Sequence, residues 1–232
     1  MEVWNLMASF AGPNLITDNL ILSLDASNTN SYPGSGTTWF DMSDKHNHGT
    51  LTNGPTFDSN NLGSIDFDGT NDHVVLNSHV MNSFSKISIF CFVKFNRVNS
   101  TSTILDTRDG SGDGMSFIMS NPSGKKLFSG MNSDNIVGNK VFTTGQIHSC
   151  AVTYDGSTAK LYVDGKEDAS KSISETFSLD PSKTSKIAIR SFSTGSATGG
   201  EINLYNLYVY SEALTATQIQ QNYMALKGRF GL

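Results

Sequence analysis

From Leu20 to the C-terminus, short apolar runs recur at spacings of about ten residues, each closed by a turn signal. This punctuation limits the chain more than any other feature, because runs of that length suit strands and are too short for helices. The runs are LILSL (20–24), SIDFD (64–68), HVVL (73–76), KISIFCFVKF (86–95), STILDT (102–107), MSFIMS (115–120), SCAVTY (149–154), KLYV (160–163), KIAIR (186–190) and EINLYNLYVY (201–210). Between them stand Asn53-Gly54-Pro55, Asp68-Gly69, Asp109-Gly110, Asn121-Pro122, Asp155-Gly156 and Asp164-Gly165. Asn and Asp bond their own backbone and tolerate left-handed φ, and glycine adopts it without a steric cost. The pattern predicts a sandwich or barrel of antiparallel strands.

In KISIFCFVKF, period two puts Ile87, Ile89, Cys91, Val93 and Phe95 on one face and Phe90 and Phe92 on the other. A strand apolar on both faces belongs in the middle of a sheet with both sides covered. Charged residues make up 16% of the chain, below the usual quarter or so, and there are 21 glycines. The surface is therefore built largely from Ser, Thr, Asn and Gly, which suits strands and tight turns better than helices laced with ion pairs. One helix is predicted, over 215–227. Thr215 with Gln218 makes a capping box, Ile219, Tyr223 and Leu226 form one apolar stripe, and Gly228 is expected to end it.

Residues 1–19 carry Trp4, Leu6, Met7 and Phe10 without a period, then break at Gly12-Pro13, and read as an arm ahead of a domain spanning 20–232. MEVWNLMASFAGPNLITDN has neither the basic start nor the apolar core of a signal peptide, so synthesis in a cytoplasm is expected. No run of eighteen or more apolar residues marks a membrane span. With a net charge of −5 and no basic stripe, nucleic acid is not an expected partner. Cys91 and Cys150 lie in strand runs and are expected as buried free thiols.

Several phrases stand together in order: GPNLITDNL, ILSLDASNTNSYPGSGTTWFDMS, GTLTNGPTF, GSIDFDGTNDHVVL, CAVTYDGSTAKLYVDGK, INLYNLYVYSEALTATQIQQNY and the closing NYMALKGRFGL. Over residues 12–232 the chain resembles the concanavalin A-like lectin/glucanase superfamily, in particular the laminin-G-like jelly rolls of tailed-phage (cyanophage-type) virion proteins. The resemblance implies an all-β, two-sheet antiparallel jelly-roll sandwich with a short C-terminal helix. It also implies that ligands, where bound, lie on the concave face or at the rim.

Glucanases of this superfamily need two carboxylates flanking the scissile bond. The chain has only five glutamates, Glu2, Glu167, Glu175, Glu201 and Glu212, and none has a partner at i+2 or i+4. Asp66 and Asp68 are two apart, but Asp68 opens a turn. An enzyme is therefore not expected, and no Gly-x-Ser-x-Gly elbow or phosphate loop points to another chemistry. Calcium is the cofactor to consider, because the laminin-G-like resemblance implies rim aspartates and that ion takes hard oxygen ligands. DGSGDG (109–114) and Asp68, Asn71 and Asp72 of FDGTND offer such oxygens, although Asx turns would use the same residues. Trp39, Tyr32 and Tyr162 would stack on sugars if exposed, but aromatics in a sandwich more commonly serve the core. In DMSDKHNHGT (41–50), His46 and His48 could share a face of an extended segment, yet a closed zinc site needs four ligands and no Cys stands nearby, so a solvated turn is expected.

These readings lead to a non-enzymatic phage virion protein, for capsid decoration or as a fibre or knob module. Trp4, Leu6, Met7 and Phe10 are its candidate contacts to capsid or tail proteins. The alternative is a lectin-like adhesin for host-surface glycans, and a glycoside hydrolase comes third. A homo-oligomer would add avidity to either binding role.

Overall fold

The computed structural model describes residues 12–80, 85–108, 114–120, 122–175, 184–191 and 197–232. In chain order its strands are β1 (Leu20–Asp25), β2 (Thr38–Trp39), β3 (Gly49–Thr52), β4 (Thr56–Asp58), β5 (Ser64–Asp68), β6 (His73–Leu76), β7 (Ile87–Phe95), β8 (Ser102–Asp106) and β9 (Met115–Ser120). They continue as β10 (Lys126–Met131), β11 (Asp134–Val137), β12 (Ile147–Tyr154), β13 (Thr158–Val163), β14 (Lys166–Ser172), β15 (Lys186–Ile187), β16 (Ile189–Ser191), β17 (Ala197–Gly199) and β18 (Glu201–Tyr210). The helix α1 (Ala216–Leu226) follows, then a 3₁₀ turn over Lys227–Phe230.

One eight-stranded sheet runs β14-β13-β12-β7-β18-β5-β4, with β1 also paired to β18. The second runs β11-β10-β9-β8-β15-β6-β3-β2, and β16 and β17 pair in a separate two-stranded sheet. All pairings are antiparallel. The main core lies between the two sheets. Ile87, Ile89, Cys91, Val93 and Phe95 enter it from β7, and Met115, Phe117 and Met119 face them from β9. This is the two-sheet jelly roll that the resemblance implies, and a sandwich is one of the two architectures that the strand spacing predicts.

Phe90 and Phe92, on the other face of β7, seed a second apolar cluster with Tyr205, Tyr208 and Tyr210 of β18. A bulge in β18 makes this division possible. The register against β7 shifts between Leu204 and Asn206, and the Asn206 side-chain oxygen accepts the Phe92 N–H at 2.8 Å. An extra residue resets the alternation, so Ile202, Leu204, Leu207 and Val209 point between the sheets while the three tyrosines point outward.

The helix α1 covers that outer cluster with Ile219, Tyr223 and Leu226, as its sequence stripe predicts. Phe92 stacks on Phe230 (centroids 4.3 Å, 17°) and lies parallel to Tyr223 (6.1 Å, 11°). The capping box is present, with the Thr215 hydroxyl accepting from the Gln218 N–H. The α-helix ends at Leu226 with Lys227 as its C-cap, in line with the expected span of 215–227, but Gly228 is not a left-handed stop. The chain passes from Leu226 into the 3₁₀ turn, and the left-handed residue is Gly231 (φ 68°). That extension carries Phe230 onto Phe92 and Arg229 into a clamp. Arg229 pairs with Asp25 at 2.8 Å and donates to the Leu62 and Gly63 carbonyls at 2.6 and 2.8 Å.

Within the expected arm, residues 12–19 lie against the helix. Asn222, fully buried, accepts from the Ile16 N–H at 2.9 Å and donates to the Tyr210 hydroxyl at 3.0 Å, and that hydroxyl donates to the Ile16 carbonyl at 3.0 Å. Trp4, Leu6, Met7 and Phe10 fall outside the described residues. KIAIR is not one strand but two, broken at Ala188, whose φ of 64° turns the chain from β15 into β16. Strands β2, β3, β4, β10, β11, β14 and β17 were not among the predicted runs. Replacing Phe92 with alanine should cost about 3–5 kcal/mol by denaturant unfolding and raise amide exchange throughout α1, because that ring joins the sheet to both C-terminal turns.

Candidate functional site

The segment DMSDKHNHGT folds around Asp41, which is 3% exposed. Its carboxylate accepts from the backbone N–H groups of Ser23 (2.7 Å), Ser43 (2.9 Å) and Asn47 (2.7 Å) and from the Ser43 hydroxyl (2.7 Å). The Asp41 N–H donates to His48 Nδ1 at 3.0 Å, so this nitrogen is an acceptor and cannot hold a metal at the same time. His46 adopts a left-handed φ of 53°, and its ring lies 5.8 Å from that of His48. The loop is a hydrogen-bonded turn with an exposed Phe40 and Met42 at its surface.

The FDGTND aspartates are also committed to their turn. The Asp68 carboxylate accepts the Thr70 N–H at 2.7 Å, and Asp72 accepts the Asp68 N–H at 3.1 Å. With Asn53, Gly54, Thr56 and Asp66 they line a shallow cup of about 270 Å³. Burial pushes the Asp66 carboxyl up, with Lys94 opposing and Asp58, Glu201 and Asp72 adding to the rise. Burial likewise raises Asp72, whereas the Thr70 amide lowers Asp68. Among the described residues, no group of three or more His, Cys, Asp or Glu side chains converges to hold a metal. In the second candidate calcium loop, DGSGDG, residues 109–113 lie outside the described residues.

A larger groove of about 520 Å³ opens where α1 crosses the β13–β14 hairpin. Lys140, Asp164, Lys166, Glu167 and Asp168 form one wall, and Gln220, Tyr223, Met224 and Lys227 form the other. Gly165, at φ 75°, turns the hairpin so tightly that a Cβ there would stand 2.8 Å from the Tyr223 ring. Nothing in the sequence marks this groove, because it is assembled from a turn, a strand without apolar alternation and the polar side of a helix. A third polar group lies on the second sheet, where Arg108 grips Asp106 through two hydrogen bonds of 2.8 and 3.1 Å. Burial, with Arg108 alongside, lowers the Arg190 guanidinium pKa nearby.

The aromatics considered as sugar platforms are interior. Trp39 is fully buried, Tyr32 is 4% exposed and Tyr162 is 2% exposed. Cys91 and Cys150 are free, fully buried and directly opposite each other across β7 and β12. Burial raises both thiols far above the reactive range.

With this geometry, the family assignment and the structural likenesses agree. The concanavalin A-like lectin/glucanases family matches residues 68–220, and the chain belongs to that superfamily. Among solved structures, it is similar to the binding domain of botulinum neurotoxin DC in complex with SialylT (TM-score 0.67, 14% identity, 90% of this chain and 52% of that one). It is also similar to the binding domain of Paraclostridial Mosquitocidal Protein 1 (TM-score 0.67, 15% identity, 89% and 52%). A third likeness is to botulinum neurotoxin type C, whose cell entry is described as dependent upon interaction with two ganglioside molecules (TM-score 0.67, 16% identity, 91% and 52%). The chain spans about half the length of these solved chains, and at such identities the likeness shows the fold. No curated protein matches the chain.

Two outcomes test the local chemistry. Asp41→Ala should cost on the order of 3 kcal/mol, because it removes the acceptor for four donors at a buried position. The raised Asp66 carboxyl means that its ionised form opposes folding at neutral pH and that this penalty disappears as pH falls. Asp66→Asn should therefore raise the Tm at pH 7, with the gain vanishing below about pH 4.

Proposed function

We propose that the chain is a non-enzymatic binding module of a tailed-phage virion, whose lectin-like sandwich recognises glycans on the host surface. The observation that carries this reading is membership of the lectin/glucanase superfamily over residues 68–220. Fold likeness to toxin binding domains, one of them solved in complex with SialylT and another tied to gangliosides, supports the glycan part. The phage part is supported by the resemblance of GPNLITDNL and NYMALKGRFGL, at the two ends of the domain, to tailed-phage virion sequences.

A binding role also agrees with where the carboxylates stand. Hydrolysis needs one free carboxyl on each side of a scissile bond. In the acidic cup, Asp68 and Asp72 are held by backbone amides of their own turn. Trp4, Leu6, Met7 and Phe10 are the proposed contacts with a capsid or tail protein, which would place the sandwich outward on the particle. Many copies on one virion would convert weak single-site binding into avidity.

Purified protein on a glycan array, with and without calcium, should retain a defined set of host-type glycans and release no reducing ends from them. Retention of none would contradict the adhesin role. Release that is lost in Asp66→Asn would contradict the non-enzymatic role. Deleting residues 2–11 should abolish incorporation into virions without lowering the Tm of the domain, and normal incorporation would contradict the anchoring role.

A further inference from the structure

The groove between α1 and the β13–β14 hairpin has an uneven supply of hydrogen-bonding capacity. Three carboxylates and three ammonium groups line it, but the carboxylates are already engaged by the protein. Asp164 meets His148 Nδ1 at 2.9 Å and the Ser149 N–H at 3.0 Å. Glu167 accepts from Lys160 at 2.9 Å, outside the groove. Asp168 accepts the Asn139 and Lys140 N–H groups at 2.8 and 2.9 Å, which pins the neighbouring loop to β14. The ammonium groups of Lys140, Lys166 and Lys227 have no ion-pair partner among the described residues. Lys227 instead stands over the Tyr223 ring, 5.6 Å from its centroid.

A ligand entering the groove therefore meets ammonium groups without ion-pair partners and carboxylates that each already accept one or two hydrogen bonds from the protein. The volume, about 520 Å³, falls within the roughly 300–1,000 Å³ of ligand clefts. Its floor is firm, since Tyr223 is held between Phe92 and the Gly165 turn. Met224, 42% exposed, gives an apolar wall, and Gln220 adds an amide for hydroxyl groups. Lysines supply compact positive charge without the fork that fixes a planar oxyanion, so they accept either a carboxylate or a sulfate.

Given the glycan-binding reading above, the geometry points to this groove as the seat of an acidic oligosaccharide. Its carboxylate or sulfate is held by Lys140, Lys166 and Lys227, and its ring is set against Met224 and Gln220. Nucleic acid carries the same kind of charge but offers bases that need exposed aromatic faces for stacking, and the Tyr223 ring is packed beside Phe92 with the Lys227 ammonium over it.

Calorimetric titration of the full chain tests this with an oligogalacturonate, a sulfated galacto-oligosaccharide free of uronic acid, a neutral galacto-oligosaccharide of equal length and a single-stranded oligonucleotide of equal charge. At least one acidic oligosaccharide should bind about tenfold or more tightly than the neutral one, and its affinity should fall as salt rises from about 0.05 to 0.5 M. The two acidic arms separate carboxylate from sulfate as the preferred group. The Lys140→Glu, Lys166→Glu double variant should lose about tenfold or more of that affinity, while Lys45→Glu, on the distant turn, should leave it unchanged. Glycan binding that ignores charge, or that survives the double variant, would overturn the groove while leaving the lectin-like reading intact. Binding of no glycan would overturn both, and equal binding of the oligonucleotide would overturn the choice of a sugar.

Discussion

The structure depends on β7 and β18 being apolar on both faces. One face closes the main core against the second sheet. The other would leave Phe90, Phe92, Tyr205, Tyr208 and Tyr210 against water unless something covered it. Burying an aromatic side chain is worth several kcal/mol, so this exposed stripe drives the docking of α1, the 3₁₀ turn and residues 12–19. Polar contacts then fix the docking geometry. Asn222 joins the helix to Ile16 and Tyr210, and Arg229 joins the tail to Asp25 and the Leu62–Gly63 turn. The cover closes much of the sheet face to ligands and leaves binding to the places where the cover meets strand ends and turns.

Much of the fold was legible because its strongest signals are local. The alternation of β7 named a central strand, with each side chain assigned to the correct face, and Thr215 with Gln218 marked the helix start. The stripe of Ile219, Tyr223 and Leu226 correctly gave the side of the helix that docks. Strands without such signals were missed. In β14, KEDASKS lies at a sheet edge with most side chains in solvent, so neither alternation nor apolar content marks it. The helix span was read correctly, but Gly228 does not adopt the left-handed turn that would stop the chain there, and a 3₁₀ turn continues to set Phe230 on Phe92. The break at Ala188 depends on backbone bonds to Ile104 and Gly200, which no local pattern announces.

Candidate sites were harder to read because chemistry-bearing residues here do double duty. The aspartates of FDGTND look like metal ligands by type and spacing, but the turn uses them first. Asp41 behaves in the same way, and its four hydrogen bonds turn a histidine-rich phrase into scaffold. The groove under α1 shows the reverse case. Lys140, Lys166 and Lys227 are far apart in sequence and unremarkable individually, and they become a site only when the hairpin and helix cross. The superfamily match establishes the architecture, and the ammonium groups free of ion pairs are what the proposed preference for an acidic ligand rests on.

Backbone amide chemical-shift mapping during titration with an acidic oligosaccharide tests the central claim most directly. The expected result is saturable shifts clustered at Lys140, the Asp164–Asp168 turn and Gln220–Lys227, with the interior residues of β7 and β18 unmoved. Saturable shifts confined to another surface, or none with any glycan, would contradict it.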